Sequence, residues 1–135
     1  MLVLVGLGGK VMLTPLGKYL KKLRVDNSEI LKNMADKLKV SSSFLSAVEN
    51  GKKKMPSTWN NEIVRIYKLN HNEQTAFTKA IAETEKSMEI DLSNTSIQNR
   101  ELAISFARKF DDFDDDQIEK IKKILQKGQK ENGQI

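Results

Sequence analysis

The sequence predicts an all-α protein in two parts. Apolar residues recur at three- and four-residue intervals in seven successive segments, and Ser, Thr, Asn or Asp stands before most of them. Only one stretch, Met88-Glu89-Ile90-Asp91-Leu92, alternates apolar and polar. Five short helices are therefore expected over residues 14–86, followed over 87–127 by a short strand and a two-helix extension. Residues 1–13 are expected to form a flexible tail and 128–135 a disordered one.

Thr14-Pro15 reads as an N-cap followed by proline at the first helical position, and Leu16, Tyr19, Leu20 and Leu23 carry the helix to about Val25. Asp26-Asn27-Ser28 is a turn. Ile30, Leu31, Met34 and Leu38 form the apolar face of the second helix, with Ala35 inward. Lys39-Val40-Ser41 turns the chain, Ser41 or Ser42 caps the third helix, and Gly51 ends it in a left-handed conformation. Within that helix Leu45 and Val48 face the core, while Ser43, Ser46, Ala47 and Asn50 share the opposite stripe.

Ser57-Thr58 is expected to cap the fourth helix, which carries Trp59, Ile63, Ile66, Tyr67 and Leu69, with Trp59 and Tyr67 in the core. The fifth starts at Asn72-Glu73 and places Phe77, Ile81 and Ala82 inward before ending near Lys86. Asn94-Thr95-Ser96 leads into the sixth, with Ile97, Leu102, Ala103, Phe106 and Phe110 inward. Asp111–Asp116 opens the seventh, whose apolar residues are Ile118, Ile121, Ile124 and Leu125, and Lys127-Gly128 ends it.

Composition narrows the function. The chain has 135 residues, 39% hydrophobic and 30% charged, which suits one ordinary domain or a small one with an extension. Cysteine is absent, so a disulfide framework, a thiolate nucleophile and a cysteine zinc site are excluded, as suits a reducing cytoplasm. The net charge of +5 is uneven: residues 1–70 hold 11 Lys and 2 Arg against 5 acids, residues 71–135 hold 8 Lys and 2 Arg against 13 acids. A basic front half is the footprint of a polyanion binder, whereas the acidic back half would be repelled by a polyanion and suits a protein partner.

The apolar stretch Met1–Gly9 is too short to span a bilayer and lacks the flanks of a secretory signal. It reads as a loose tail, or as residues upstream of a natural start at Met12. Gly6-Leu7-Gly8-Gly9 lacks the Gly-Lys-Ser/Thr of a phosphate loop.

The segment Met34–Pro56 carries the strongest functional signal. Two short helices meet at a tight turn, the second offers small side chains outward, and Lys52-Lys53-Lys54 follows its end. Small residues at Ser42, Ser43, Ser46 and Ala47 let a helix approach base edges in a major groove, where serine hydroxyls serve several bases and alanine meets a thymine methyl. Apart from Asn50, none offers a bidentate base contact, so shape readout shares the recognition. The lysines suit phosphates. Phe44 fits equally well against the second helix or a DNA backbone.

With Met34-Ala35, Leu38, Val40-Ser41, Leu45-Ser46, Glu49-Asn50-Gly51 and Pro56, this segment resembles the Cro/CI-type, or XRE-type, helix-turn-helix of phage and bacterial repressors. The likeness covers roughly residues 14–70. It implies a five-helix Cro/CI-like domain that binds double-stranded DNA as a homodimer on inverted half-sites and represses transcription. By position it implies base reading by Ser42, Ser43, Ser46 and Ala47, and DNA-backbone contact by Asn50, Lys52 and Lys54, while Lys53 joins the backbone contacts as part of the lysine run. Arg24 and Glu49 match a pair that forms a buried salt bridge in some members. Leu31 stands where the repressors often place a glutamine, so backbone contact from the second helix falls to Lys32.

The extension over 87–127 is expected to dimerise or bind a partner. A different class of function is the antitoxin of a toxin–antitoxin pair, neutralising a basic toxin through the acidic Asp111–Asp116 and autoregulating its operon. That acidic run lacks the glycine and closing glutamate of a calcium loop, and its carboxylates offset a helix macrodipole instead. His71 is the single histidine, so no His/Cys metal cluster is expected, and no Ser-His-Asp grouping stands out. Neither an enzyme nor a cofactor is expected.

Overall fold

The computed structural model describes residues 12–133, through residue 127 for side chains, and is all-helical with no strand among the described residues. In chain order the helices are α1 (Pro15–Asp26), α2 (Leu31–Lys37), α3 (Ser42–Glu49), α4 (Trp59–Ile66), α5 (His71–Thr84), α6 (Ile97–Lys109) and α7 (Asp115–Gly133), with a 3-10 turn at Phe110–Asp112. The chain divides into two compact units between Ile90 and Asp91. Apart from Met12 and Leu13, the tail expected over 1–13 lies outside the described residues, as do residues 134–135.

The first unit holds one core. Leu16, Leu20, Met34, Leu45, Val48, Trp59, Ile63 and Phe77 are fully buried, drawn from all five helices. Thr14 caps α1, its hydroxyl accepting from the Gly17 N–H at 3.0 Å, and Pro15 follows at the first helical position. Asn70 and Glu73 form a capping box at the start of α5, accepting from each other's backbone N–H at 2.8 Å. Phe44 packs edge-on to Trp59 of α4, the ring centres 6.0 Å apart. Tyr19 stacks on Phe77 at 5.3 Å and joins α1 to α5.

The first four helices all end in the same Schellman geometry. The residue after each C-cap is left-handed: Ser28 (φ +55°), Lys39 (+60°), Gly51 (+79°) and Lys68 (+50°). The next N–H then reaches back to close the turn, from Glu29 to Arg24, Val40 to Ala35, Lys52 to Ala47 and Leu69 to Val64. Only one of the four uses glycine, which is why Gly51 alone was expected from the sequence to be left-handed.

Several expectations fail for identifiable reasons. Residues 88–92 form no strand and have no pairing partner, and alternation without a second strand leaves the backbone groups to solvent. Ile30 is not on the core face of α2. It is the N-cap and is exposed, and Asn33 Oδ1 accepts from its N–H at 2.8 Å. Thr58 makes no side-chain cap bond at α4, because its backbone is already helical. In α5 the inward alanine is Ala80 rather than Ala82. The stop expected at Lys127-Gly128 is passed, since one glycine costs a helix only about 1 kcal/mol and no proline follows it.

A polar cluster holds α2 to its neighbours. The Glu29 carboxylate accepts from Lys37 Nζ and, at 2.6 Å, from the Tyr67 hydroxyl, while Lys37 lies 5.0 Å above the Tyr67 ring. Burial alone would raise the Glu29 pKa, but these two donors and the charges of Lys37 and Arg24 hold it below the ordinary value. Burial, and then the adjacent Glu29 carboxylate, push the Tyr67 hydroxyl up. A carboxyl with a lowered folded pKa stabilises fully above its unfolded pKa, and that stability is lost as pH falls through the folded value. Acid titration of thermal stability is therefore expected to show a loss below about pH 4.5 that Glu29→Gln reduces.

The second unit is built differently. Ser96 caps α6, accepting from Asn99 N–H at 3.1 Å, and Asp114 with Gln117 forms a capping box on α7. The helix expected to open at Asp111 thus begins at Asp115, with Asp111 and Asp112 in the 3-10 turn. Phe106, Phe110 and Phe113 touch one another at that turn, but α6 and α7 do not pack along each other. None of the described side chains from 91 to 127 is buried, so Ile97, Leu102, Phe106 and Phe110 are not core residues as expected.

Candidate functional site

Burial of Leu45 and Val48 determines which side of α3 faces out. With those residues in the core, Ser42, Ser43, Ser46, Ala47 and Asn50 are carried to the opposite side by the 3.6-residue period. Ser41 starts the helix, accepting from the Phe44 N–H at 3.0 Å. The outer side is concave. A hollow of about 360 Å³ is lined by Leu31 of α2, by Ser42, Ser43, Ser46, Ala47 and Asn50, and by Lys52. Asn50 Nδ2 lies 3.4 Å from Ser46 Oγ along the same wall.

The turn after α3 sets the charge. Left-handed Gly51 lets the N–H groups of Lys52 and Lys53 both reach the Ala47 carbonyl, at 2.8 and 3.2 Å. This folds the lysine loop back over the helix end. In α2 and α4 the residue at the Lys52 position is Val40 or Leu69, each turned toward the core. Here it is an exposed lysine at the rim of the hollow. Positive charge there also complements the C-terminal end of the α3 dipole.

Two devices fix how α3 is held. Arg24 of α1 and Glu49 of α3 form a two-pronged ion pair, with Arg24 7% and Glu49 3% exposed. The Glu49 carbonyl is held as well, accepting from the N–H and hydroxyl of Thr14 at 3.0 and 3.1 Å. Gly17 makes this approach possible. A Cβ on it would stand 2.1 Å from the Glu49 carbonyl oxygen, well inside contact.

The structure thus brings Ser42, Ser43, Ser46, Ala47, Asn50 and Lys52 onto one surface, and it joins Arg24 to Glu49. Lys53 is exposed beside them. Lys54 points elsewhere, its Nζ donating to Ser87 Oγ at 2.7 Å, next to the 2.9 Å bond from Met55 N–H to Glu85. Lys32 is exposed on α2 and pairs with Asp36 at 3.1 Å. Sequence reasoning set Leu31 aside and overlooked Gly17. A glycine in the middle of a helical pattern was the available signal, since it costs about 1 kcal/mol unless something requires close approach.

Among the described residues no group of three or more His, Cys, Asp or Glu side chains is placed to hold a metal, and no helix is long and apolar enough to cross a membrane. No protein-family model matches the chain, and no curated protein or solved structure matches it.

Proposed function

We propose that this chain is a sequence-specific, cytoplasmic DNA-binding regulator, a repressor that binds an inverted-repeat operator as a dimer. Its α2 and α3 act as a helix-turn-helix with α3 in the major groove. The observation that carries the reading is the concave, serine-lined face of α3 with Lys52 at its rim. No bulky side chain stands between that face and a base edge, and the neighbouring cations suit phosphates on either side of the groove. Leu31 and Ala47 add an apolar edge to the hollow, which suits a thymine methyl.

The reading is tested with duplexes selected from a randomised pool and fluorescence anisotropy over a range of salt. Lys52→Ala and Lys53→Ala are each expected to weaken every duplex alike and to reduce the salt slope by about 0.9. Ser43→Ala or Ser46→Ala is expected to change which sequences bind while leaving that slope in place. Absence of duplex affinity at about 50 mM salt would end this reading.

A second reading, the antitoxin, draws on the open apolar side chains of residues 97–125 and the carboxylates of Asp111–Asp116. It predicts a basic protein co-purifying at fixed stoichiometry and encoded beside this chain.

A further inference from the structure

Residues 91–127 bury none of their described side chains. Leu102 and Leu125 are each 68% exposed, and Phe106, Phe110, Ile118 and Ile124 are exposed too. Ordering such a segment costs roughly 1–2 kcal/mol per residue in backbone entropy, and no buried side chain offsets it. Its apolar face needs a cover, and the charges on α7 indicate which one.

Over α7 as far as Lys127 the acids come first, at Asp115, Asp116 and Glu119, just after Asp111, Asp112 and Asp114. Bases follow at Lys120, Lys122, Lys123 and Lys127. A helix charged in this way complements itself only when turned end for end. Side by side in the same direction, two copies would set acid against acid and base against base.

We infer that α7 pairs antiparallel with α7 of a second copy of this chain, about a two-fold axis between Glu119 and Lys120. Ile118, Ile121 and Leu125 stand at i, i+3 and i+7 and form the seam of a short coiled coil. About that axis Ile118 faces the second copy's Ile121, and Leu125 reaches its Phe110–Phe113 cluster. Asp115 comes within one helical turn of the second copy's Lys122, on the same flank of the seam. Asp116 is engaged by Lys120 within its own helix at 3.1 Å, which leaves the intermolecular contacts to Asp115 and Lys122. The contact is isologous and closes on itself, so it yields a dimer and no chain of copies. It specifies the dimer of the proposed regulator and rests on that reading for its purpose alone.

The test uses the full chain without DNA. Sedimentation should show a dimer, and Ile121→Asp should raise its dissociation constant about 100-fold or more while Trp59 fluorescence stays native. The double variant Lys122→Glu/Lys123→Glu should weaken self-association about tenfold, and so should Asp115→Lys/Asp116→Lys. Mixing the two should restore a dimer containing one of each, a result that misfolded variants could not give. Because the chain has no cysteine, single introduced thiols report direction. Asp115→Cys mixed with Lys122→Cys should cross-link, and neither should cross-link alone. A monomeric wild type, a mixture that stays dissociated, or same-site cross-linking of Asp115→Cys would overturn the proposal. Dimerisation without duplex binding would sink only the regulator reading, and duplex binding by a monomer would sink only the pairing.

Discussion

Truncating Glu49 to alanine is expected to cost the first unit about 3–5 kcal/mol, because it strands the Arg24 guanidinium where water barely reaches it. Arg24→Ala should cost a similar amount for the converse reason. Against a typical total of about 5–15 kcal/mol, either loss brings a small domain close to unfolding. The double variant Arg24→Met/Glu49→Leu should recover most of it, since two apolar side chains of similar volume avoid the desolvation of both charges. Urea denaturation followed through Trp59, the single tryptophan and 2% exposed, reads all three. A Glu49→Ala midpoint close to wild type would show that the pair does not hold α3. Duplex binding by the double variant then separates stability from orientation. If the fork also aims α3, the recovered fold should still bind more weakly than wild type.

Gly17→Ala should destabilise, although alanine is the better helix former by about 1 kcal/mol. Its methyl would meet the Glu49 carbonyl oxygen at 2.1 Å, and that oxygen is backbone, fixed further by the two bonds from Thr14. Relief requires α1 and the end of α3 to move apart. Overpacking of this kind costs about 1–3 kcal/mol, and the Thr14 bonds weaken with it. A net loss of about 2 kcal/mol corresponds to a melting temperature lower by roughly 8–16 °C for a domain of this size. Since α3 and the lysine loop shift together, duplex affinity should fall even at temperatures where the variant is folded. A raised melting temperature would show that α1 and α3 have room to spare.

Both predictions concern contacts between residues far apart in sequence, and there the sequence spoke unevenly. The ion pair was legible only because Arg24 and Glu49 match a motif; neither residue type in a helix announces a buried fork. Gly17 was overlooked, because a glycine within a helical pattern does not name the backbone that approaches it. The turns after α1, α2 and α4 place Ser28, Lys39 and Lys68 in the left-handed region. Such residues give little warning, because a serine or lysine is ordinary in any loop.

What the sequence by itself determined is what depends on neighbours within one turn of chain. That includes the all-α class, most helix boundaries, the cap at Thr14, the choice of Ser41 or Ser42 before α3, and the division of α3 into a buried and a serine-bearing side. Periodicity and local hydrogen bonding are enough for these. Tertiary structure alone decided that Leu31 shares the hollow with Ser42–Asn50, that Gly17 lies under the Glu49 carbonyl, and that Lys54 turns to Ser87. It also decided that residues 88–92 find no strand to pair with and that α6 and α7 leave their apolar faces uncovered. An amphipathic pattern states that a face needs a cover, but only packing reveals whether the chain supplies one.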